Sequence, residues 1–136
     1  MIRFIRLGKN YRNIMRCLFL LPAFFLLFTS CHEEIDPNYA CSVEDPLNNL
    51  DWLAERIREM EESTLSSYFY VSMARYRSKT VFVFKNCCPF CATVTPVVDC
   101  SGEEIGHLGS IDPSKLKDEV IIWEGEDFAC NPPASS

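Results

Sequence analysis

The sequence predicts an α+β domain in which one N-terminal amphipathic helix packs on a mostly antiparallel meander of four to five strands, stapled by disulfides. Three observations predict it. Apolar residues recur at three- and four-residue steps over residues 47–62. After Ser63 and Thr64 the texture changes to aromatic and β-branched residues broken by turn signals. Eight cysteines fall in 136 residues, and six of them lie past residue 40.

The helix comes first. Asp45-Pro46-Leu-Asn-Asn is a helix-start cluster: Asp45 or Asn48 can cap, and Pro46 suits a first turn. Leu50, Leu53, Ile57 and Met60 then form one stripe, with Ala54 beside them and Glu55, Arg58, Glu59 and Glu62 on the other side. Trp52 falls off the stripe, at the edge of the core. Tyr68 to Tyr76 reads as the first strand, with Phe69, Val71 and Met73 pointing one way and Tyr68, Tyr70 and Tyr76 the other. Arg77-Ser78-Lys79 is a tight polar connection. Thr80 to Lys85 is apolar on both faces, which places it centrally. Thr93 to Asp99 reads as a third strand that Pro96 pushes to an edge or a bulge. Asp99-Cys-Ser-Gly102 is a turn, Glu104 to Leu108 a fourth strand, Asp112-Pro113 a short helical turn, and Val120 to Trp123 a fifth strand.

The two ends of the chain differ in kind. Five of the 13 basic residues and none of the 19 acidic ones precede position 31, which leaves 8 against 19 and a formal charge of −11 for residues 31–136. Such a surface repels nucleic acid and anionic headgroups. Ahead of it, Arg3, Arg6, Lys9, Arg12 and Arg16 precede an unbroken apolar run, Leu18 to Phe28. That run has the length of a signal-peptide core and is short of the roughly 20 residues a membrane-crossing helix needs. Its end, Leu27-Phe28-Thr29-Ser30-Cys31, resembles a lipobox, with Phe28 departing from the usual aliphatic residue. Residues 1–30 are therefore expected to be a lipoprotein signal peptide, whose start is Met1 or Met15. Cys31 is the expected lipid-attachment residue, and residues 31–45 a lipidated tether. The domain then spans 46–130, and 131–136 is a frayed tail. His32-Glu33-Glu34 either opens that tether or acts as an acidic surface-export signal. The expected location is the cell envelope, on an outer membrane, facing the periplasm or the exterior.

Cys17 leaves with the signal peptide, so Cys41, Cys87, Cys88, Cys91, Cys100 and Cys130 remain. In an exported chain they are disulfide candidates. Fifteen pairings are open. Extended backbone from Cys91 to Cys100 would part those two by roughly 30 Å, too far to bridge. Adjacent strand residues face opposite ways, which favours separate partners for Cys87 and Cys88.

Two sharper readings compete. Val81 to Cys91, ending in Cys88-Pro89-Phe90-Cys91, resembles the strand and active-site turn of a glutaredoxin. That resemblance implies thiol–disulfide chemistry at Cys88 and Cys91. It stops there, because Ala92-Thr-Val-Thr-Pro-Val-Val98 has the composition of a strand where a helix should start. A metal site would need four ligands; Cys88, Cys91, Cys100 and His107 could nominally serve, but oxidation of the cysteines is the stronger expectation. No metal or other cofactor is expected. Asp99, Glu103 and Glu104 read as a solvated hairpin tip. No phosphate loop, G-x-S-x-G or H-E-x-x-H motif is present.

Taken whole, the lipobox, Pro46 to Leu53, the Tyr-rich hairpin, Cys87-Cys88 and Asp99-x-x-Gly-x-x-Ile105 are similar to small cysteine-containing Bacteroidetes lipoproteins whose domain has no assigned function. The resemblance implies placement and fold and carries no catalytic residue. The expectation for function is a non-enzymatic module that binds an envelope protein or a glycan. Its contact face would be Tyr68, Tyr70, Tyr76 and Trp52, unless these aromatics pack on the second face of the sheet. The alternatives are a thiol–disulfide oxidoreductase and an inhibitor of extracellular enzymes.

Overall fold

The computed structural model describes residues 34–132. The expected signal peptide 1–30, Cys31, His32 and Glu33 lie outside the described residues, as do residues 133–136 of the expected tail 131–136. Residues 34–45, expected as tether, are built into the domain. Tyr39–Ala40 (β1) pairs with Val43–Glu44 (β2), Ala40 is buried in the core, and Cys41 is disulfide-bonded. Polar composition did not reveal this, because one small buried residue and one cysteine suffice to bind a hairpin down.

The single helix expected over 47–62 is two, Pro46–Asn49 (α1) and Asp51–Glu61 (α2), parted at extended Leu50. Asparagine side chains compete with helical hydrogen bonding. Here Asn48 Nδ2 donates to Asp45 Oδ2 (2.8 Å) and Asn49 Nδ2 to the Glu44 carbonyl (2.7 Å). The stripe itself is as the period predicts. Leu53 and Ile57 are buried, and Leu50 and Met60 flank them against Val71, Met73, Phe82, Phe84 and Val98.

Five strands form one sheet: Phe69–Tyr76 (β3), Lys79–Asn86 (β4), Pro96–Val98 (β5), Glu104–His107 (β6) and Lys117–Glu124 (β7). Their spatial order is β6-β5-β4-β3-β7, with every neighbouring pair antiparallel. The first four run as a meander. The fifth returns to the far edge beside β3, so the connection from β6 to β7 crosses the sheet. Its Leu108, Ile111 and Leu116 cover the second face over Ala74, Val81, Val83 and Val97. Both faces are thus covered, which is why β4 is apolar on both sides.

Pro96 does not lie on an edge strand, but the other expectation has support: the β5–β6 register shifts beside it, between Val97 and Val98. The proline opens β5, which sits between β4 and β6, and its missing N–H falls at a strand end where it interrupts no ladder. The expected strand over 93–99 shrinks to three residues. The β-branched residues at 93–95 prefer extended backbone, but β4 pairs with β5 only through Phe82–Val98 and Val83–Val97. Residues 87–95 form a loop instead.

The β3–β4 hairpin closes through Arg77 (φ 51°) and Ser78 (φ 63°), both left-handed. That geometry fits the twist of a two-residue hairpin, but non-glycine residues are strained in it. Ser78→Gly is therefore expected to raise stability by about 0.5–1 kcal/mol, read as a higher denaturation midpoint at unchanged slope.

All six cysteines of the described domain are paired: Cys41–Cys100, Cys87–Cys130 and Cys88–Cys91. Cys87 and Cys88 take separate partners, and Cys91 and Cys100 are not joined. The first two bridges close sequence separations of 59 and 43 residues, the third only 3. In the chain-entropy picture the long loops contribute about 4 kcal/mol each and the short one about 2.

Candidate functional site

The aromatic residues expected as a contact face are already engaged. Trp52 packs edge-on against Phe82, with ring centroids 5.4 Å apart, and its Nε1–H donates to the Cys100 carbonyl at 3.1 Å. A Cβ on Gly102 would lie 2.9 Å from its ring, so the 99–102 turn closes directly over it. Tyr76 packs on the second-face core beneath the Arg77 guanidinium. Tyr70 meets Phe128 edge-on at 5.7 Å and has Lys85 Nζ over its ring at 5.8 Å. Tyr68 ends the 3-10 turn Ser66–Tyr68, and its carbonyl accepts from the Cys87 N–H. Trp52, Tyr70 and Tyr76 are thus packed against neighbours, and Tyr68 is half-buried.

On the second face a polar strip crosses three strands. Glu119 on β7 accepts from the fully buried Ser72 hydroxyl on β3 (2.5 Å) and pairs with Lys85 on β4 (2.5 Å). Next to it Arg75 pairs with Asp118. A serine with no exposed surface is out of reach of a substrate, so the strip is architectural. It also acts on Tyr70, whose hydroxyl is pushed above its ordinary pKa by burial and, secondarily, by the Glu119 charge. A raised folded value means that the native state holds this proton more tightly than the unfolded chain does. The resulting stability is complete below pH ~10 and is lost as pH climbs through the folded value. Relative to Tyr70→Phe, the parent protein is therefore expected to lose stability as pH rises above about 10, measured by urea titration at each pH.

The acidic hairpin tip is what it reads as. Asp99 accepts from the Ser101 hydroxyl (2.6 Å) and N–H (2.8 Å), which hold its carboxyl below the usual carboxylate range. The nominal metal set is not assembled. Cys88 and Cys91 are bonded to each other, Cys100 is bonded to Cys41, and His107 sits exposed on β6. Among the described residues no group of three or more histidine, cysteine or carboxylate side chains could hold an ion.

What sequence reasoning missed is the loop after β4. Asn86 Oδ1 accepts from the Cys88 N–H at 2.7 Å, and the Cys91 N–H reaches the Cys88 carbonyl at 3.3 Å. The Cys88–Cys91 bridge thus closes a single turn, and Phe90 stands on it 97% exposed. Val94, further along, is 69% exposed. No charged residue occurs from Asn86 to Val98 in an otherwise acidic domain. That uncharged run between Pro89 and Pro96 was the available signal; its β-branched composition pointed to a strand instead. No helix follows Cys91, and the described peptide bonds are all trans. The glutaredoxin resemblance therefore covers the strand and the turn, and neither the helix nor the cis-proline of that site.

Compared with family models, curated proteins and solved structures, the chain matches none.

Proposed function

We propose that this chain is an exported, lipid-anchored binding module of the cell envelope that presents the loop 87–95 to a protein partner. The observation that carries the reading is Phe90, an aromatic side chain 97% exposed on a turn closed by a disulfide. Exposing a large apolar residue is unfavourable unless a partner covers it. Closing the turn reduces the ordering entropy that binding would otherwise consume. Two residues separate Cys31 from Glu34, a reach of about 10 Å. The hairpin β1–β2 is stapled by Cys41–Cys100, whose Cys100 Sγ lies 3.8 Å from the Thr80 carbonyl at the start of β4. The loop leaves the other end of β4, about 20 Å along the strand from that staple. Among the described residues no helix is long and apolar enough to cross a membrane.

Two measurements test this. Fatty-acid labelling of the full chain in its host is expected to vanish in Cys31→Ser; persistent labelling would remove the anchor. A photo-crosslinking phenylalanine at position 90 is expected to yield a discrete adduct in intact cells, while the same residue at Ile105, exposed on β6, yields none. Equal patterns from both positions would remove the loop as contact site.

A second reading has one observation in its favour: Cys88–Cys91 joins residues three apart in a loop flanked by exposed side chains. A thiol–disulfide oxidoreductase working through it would reduce insulin with turnover, and Cys88→Ser would abolish that turnover. The envelope-module reading expects neither.

A further inference from the structure

From the geometry of this same end of the sheet we infer that the partner is a cationic protein, one presenting an apolar socket rimmed by lysine or arginine; the inference rests on the loop 87–95 being the contact site.

The topology gathers three chain segments at the end of the sheet that carries Phe90. The loop itself follows β4. The segment after β7 folds back beside it: the Gly125 N–H donates to the Phe69 carbonyl (3.1 Å), the Ala129 N–H to the Ser67 carbonyl (2.8 Å), and Cys130 is bonded to Cys87. The end of α2 arrives through Ser63, whose carbonyl accepts from the Ser66 N–H at 3.0 Å. Leu65, 37% exposed, sits in that approach. Three of the five exposed large hydrophobic side chains of the described domain, Leu65, Phe90 and Val94, therefore lie at one end.

The charges around them have one sign. Glu124, Glu126 and Asp127 are exposed on the returning segment, and Glu61 and Glu62 are exposed at the end of α2. The cations nearest to this end are already engaged: Lys85 with Glu119, Arg58 with Glu55, and Arg56 over the Phe84 ring. An apolar tip enters a socket, and the carboxylates beside it then face whatever rims that socket. Carboxylates attract ammonium and guanidinium groups, and they repel phosphate, anionic lipid and a second acidic copy of this chain. The apolar contact supplies affinity, and the charges supply partner choice and a salt-dependent on-rate.

The test uses the oxidised, isotope-labelled full chain and defined probes: an amphipathic Leu/Lys peptide, its Leu/Glu counterpart, a Ser/Lys peptide, and vesicles of anionic or neutral phospholipid. The Leu/Lys peptide is expected to shift the amides of residues 88–94 and 124–127. Its affinity should fall about tenfold from low to high salt, and about tenfold in Phe90→Ser, a change at a fully exposed position that leaves the core untouched. The triple change Glu124→Gln, Glu126→Gln, Asp127→Asn is expected to flatten the salt dependence. Equal binding of the Leu/Glu peptide would overturn the cationic partner and leave the loop as contact site. So would vesicle binding, or concentration-dependent self-association, mapped to residue 90. Equal binding of the Ser/Lys peptide would mean that charge alone attracts it, which also overturns the inference. If no probe shifts residues 88–94, the inference and the contact loop both fall.

Discussion

Gly125→Ala is expected to be the most damaging single substitution in the domain, costing about 4 kcal/mol or more, at the upper end of what point changes do. The reason is space. A Cβ built on Gly125 would lie 1.9 Å from the Ser66 carbonyl oxygen and 2.7 Å from its carbonyl carbon. Both are backbone atoms, so no side chain can swing aside. The segment cannot slide either, because it is pinned by the Gly125 and Ala129 hydrogen bonds and by Cys87–Cys130. Elsewhere a glycine-to-alanine change gains roughly 0.4–1 kcal/mol by stiffening the unfolded chain. Here a backbone collision far outweighs that gain. Denaturant titration should show the loss, and hydrogen exchange should show it locally, with the Gly125 and Ala129 amides losing protection first. A midpoint within about 1 kcal/mol of the parent would show that residues 66 and 125 do not approach so closely.

That contact was invisible in the sequence, and the reason generalises. Gly125 sits in Glu-Gly-Glu-Asp, which reads as an exposed turn, because only the fold reveals what passes beside a glycine. What was legible followed from local periodicity. The stripe Leu53 and Ile57 requires only that one face of a helix be buried, and the alternation of Val71 and Met73 requires only a sheet beneath it. The break at Leu50 was partly legible, since two consecutive asparagines weaken a helix. The placement of β7 was not. An apolar run Val120 to Trp123 announces a strand, but nothing in it says that the strand crosses back to pair with β3. The cysteines show the same limit. Their oxidation was expected from an even count and a predicted export signal, whereas their pairing follows from strand order. Phe90 shows the limit from the other side: the sequence placed it in a turn between cysteines, and only the fold shows that turn standing in solvent.

The second large effect is expected from removing Cys41–Cys100. The double change Cys41→Ser, Cys100→Ser should cost about 4 kcal/mol, a sizeable part of the 5–15 kcal/mol that a small domain has. The bridge closes a separation of 59 residues and helps to hold three features together. One is the β1–β2 hairpin, whose Ala40 is buried in the first core. The second is the Asp99–Gly102 turn. The third is Trp52, whose indole N–H is bound to the Cys100 carbonyl and whose ring lies under Gly102. Without the bridge, the turn can lift from Trp52 and expose the edge of Phe82. The matched change Cys88→Ser, Cys91→Ser should cost about 2 kcal/mol at most, since its loop spans three residues and joins no two elements. Both members of each pair must be replaced, because a lone thiol could exchange with a remaining bridge. Urea midpoints of the two double variants, measured without reductant, decide the matter. If the Cys88–Cys91 variant loses as much as the Cys41–Cys100 variant, then the short bridge supports the fold, and its assigned role as the clasp of an exposed tip is wrong.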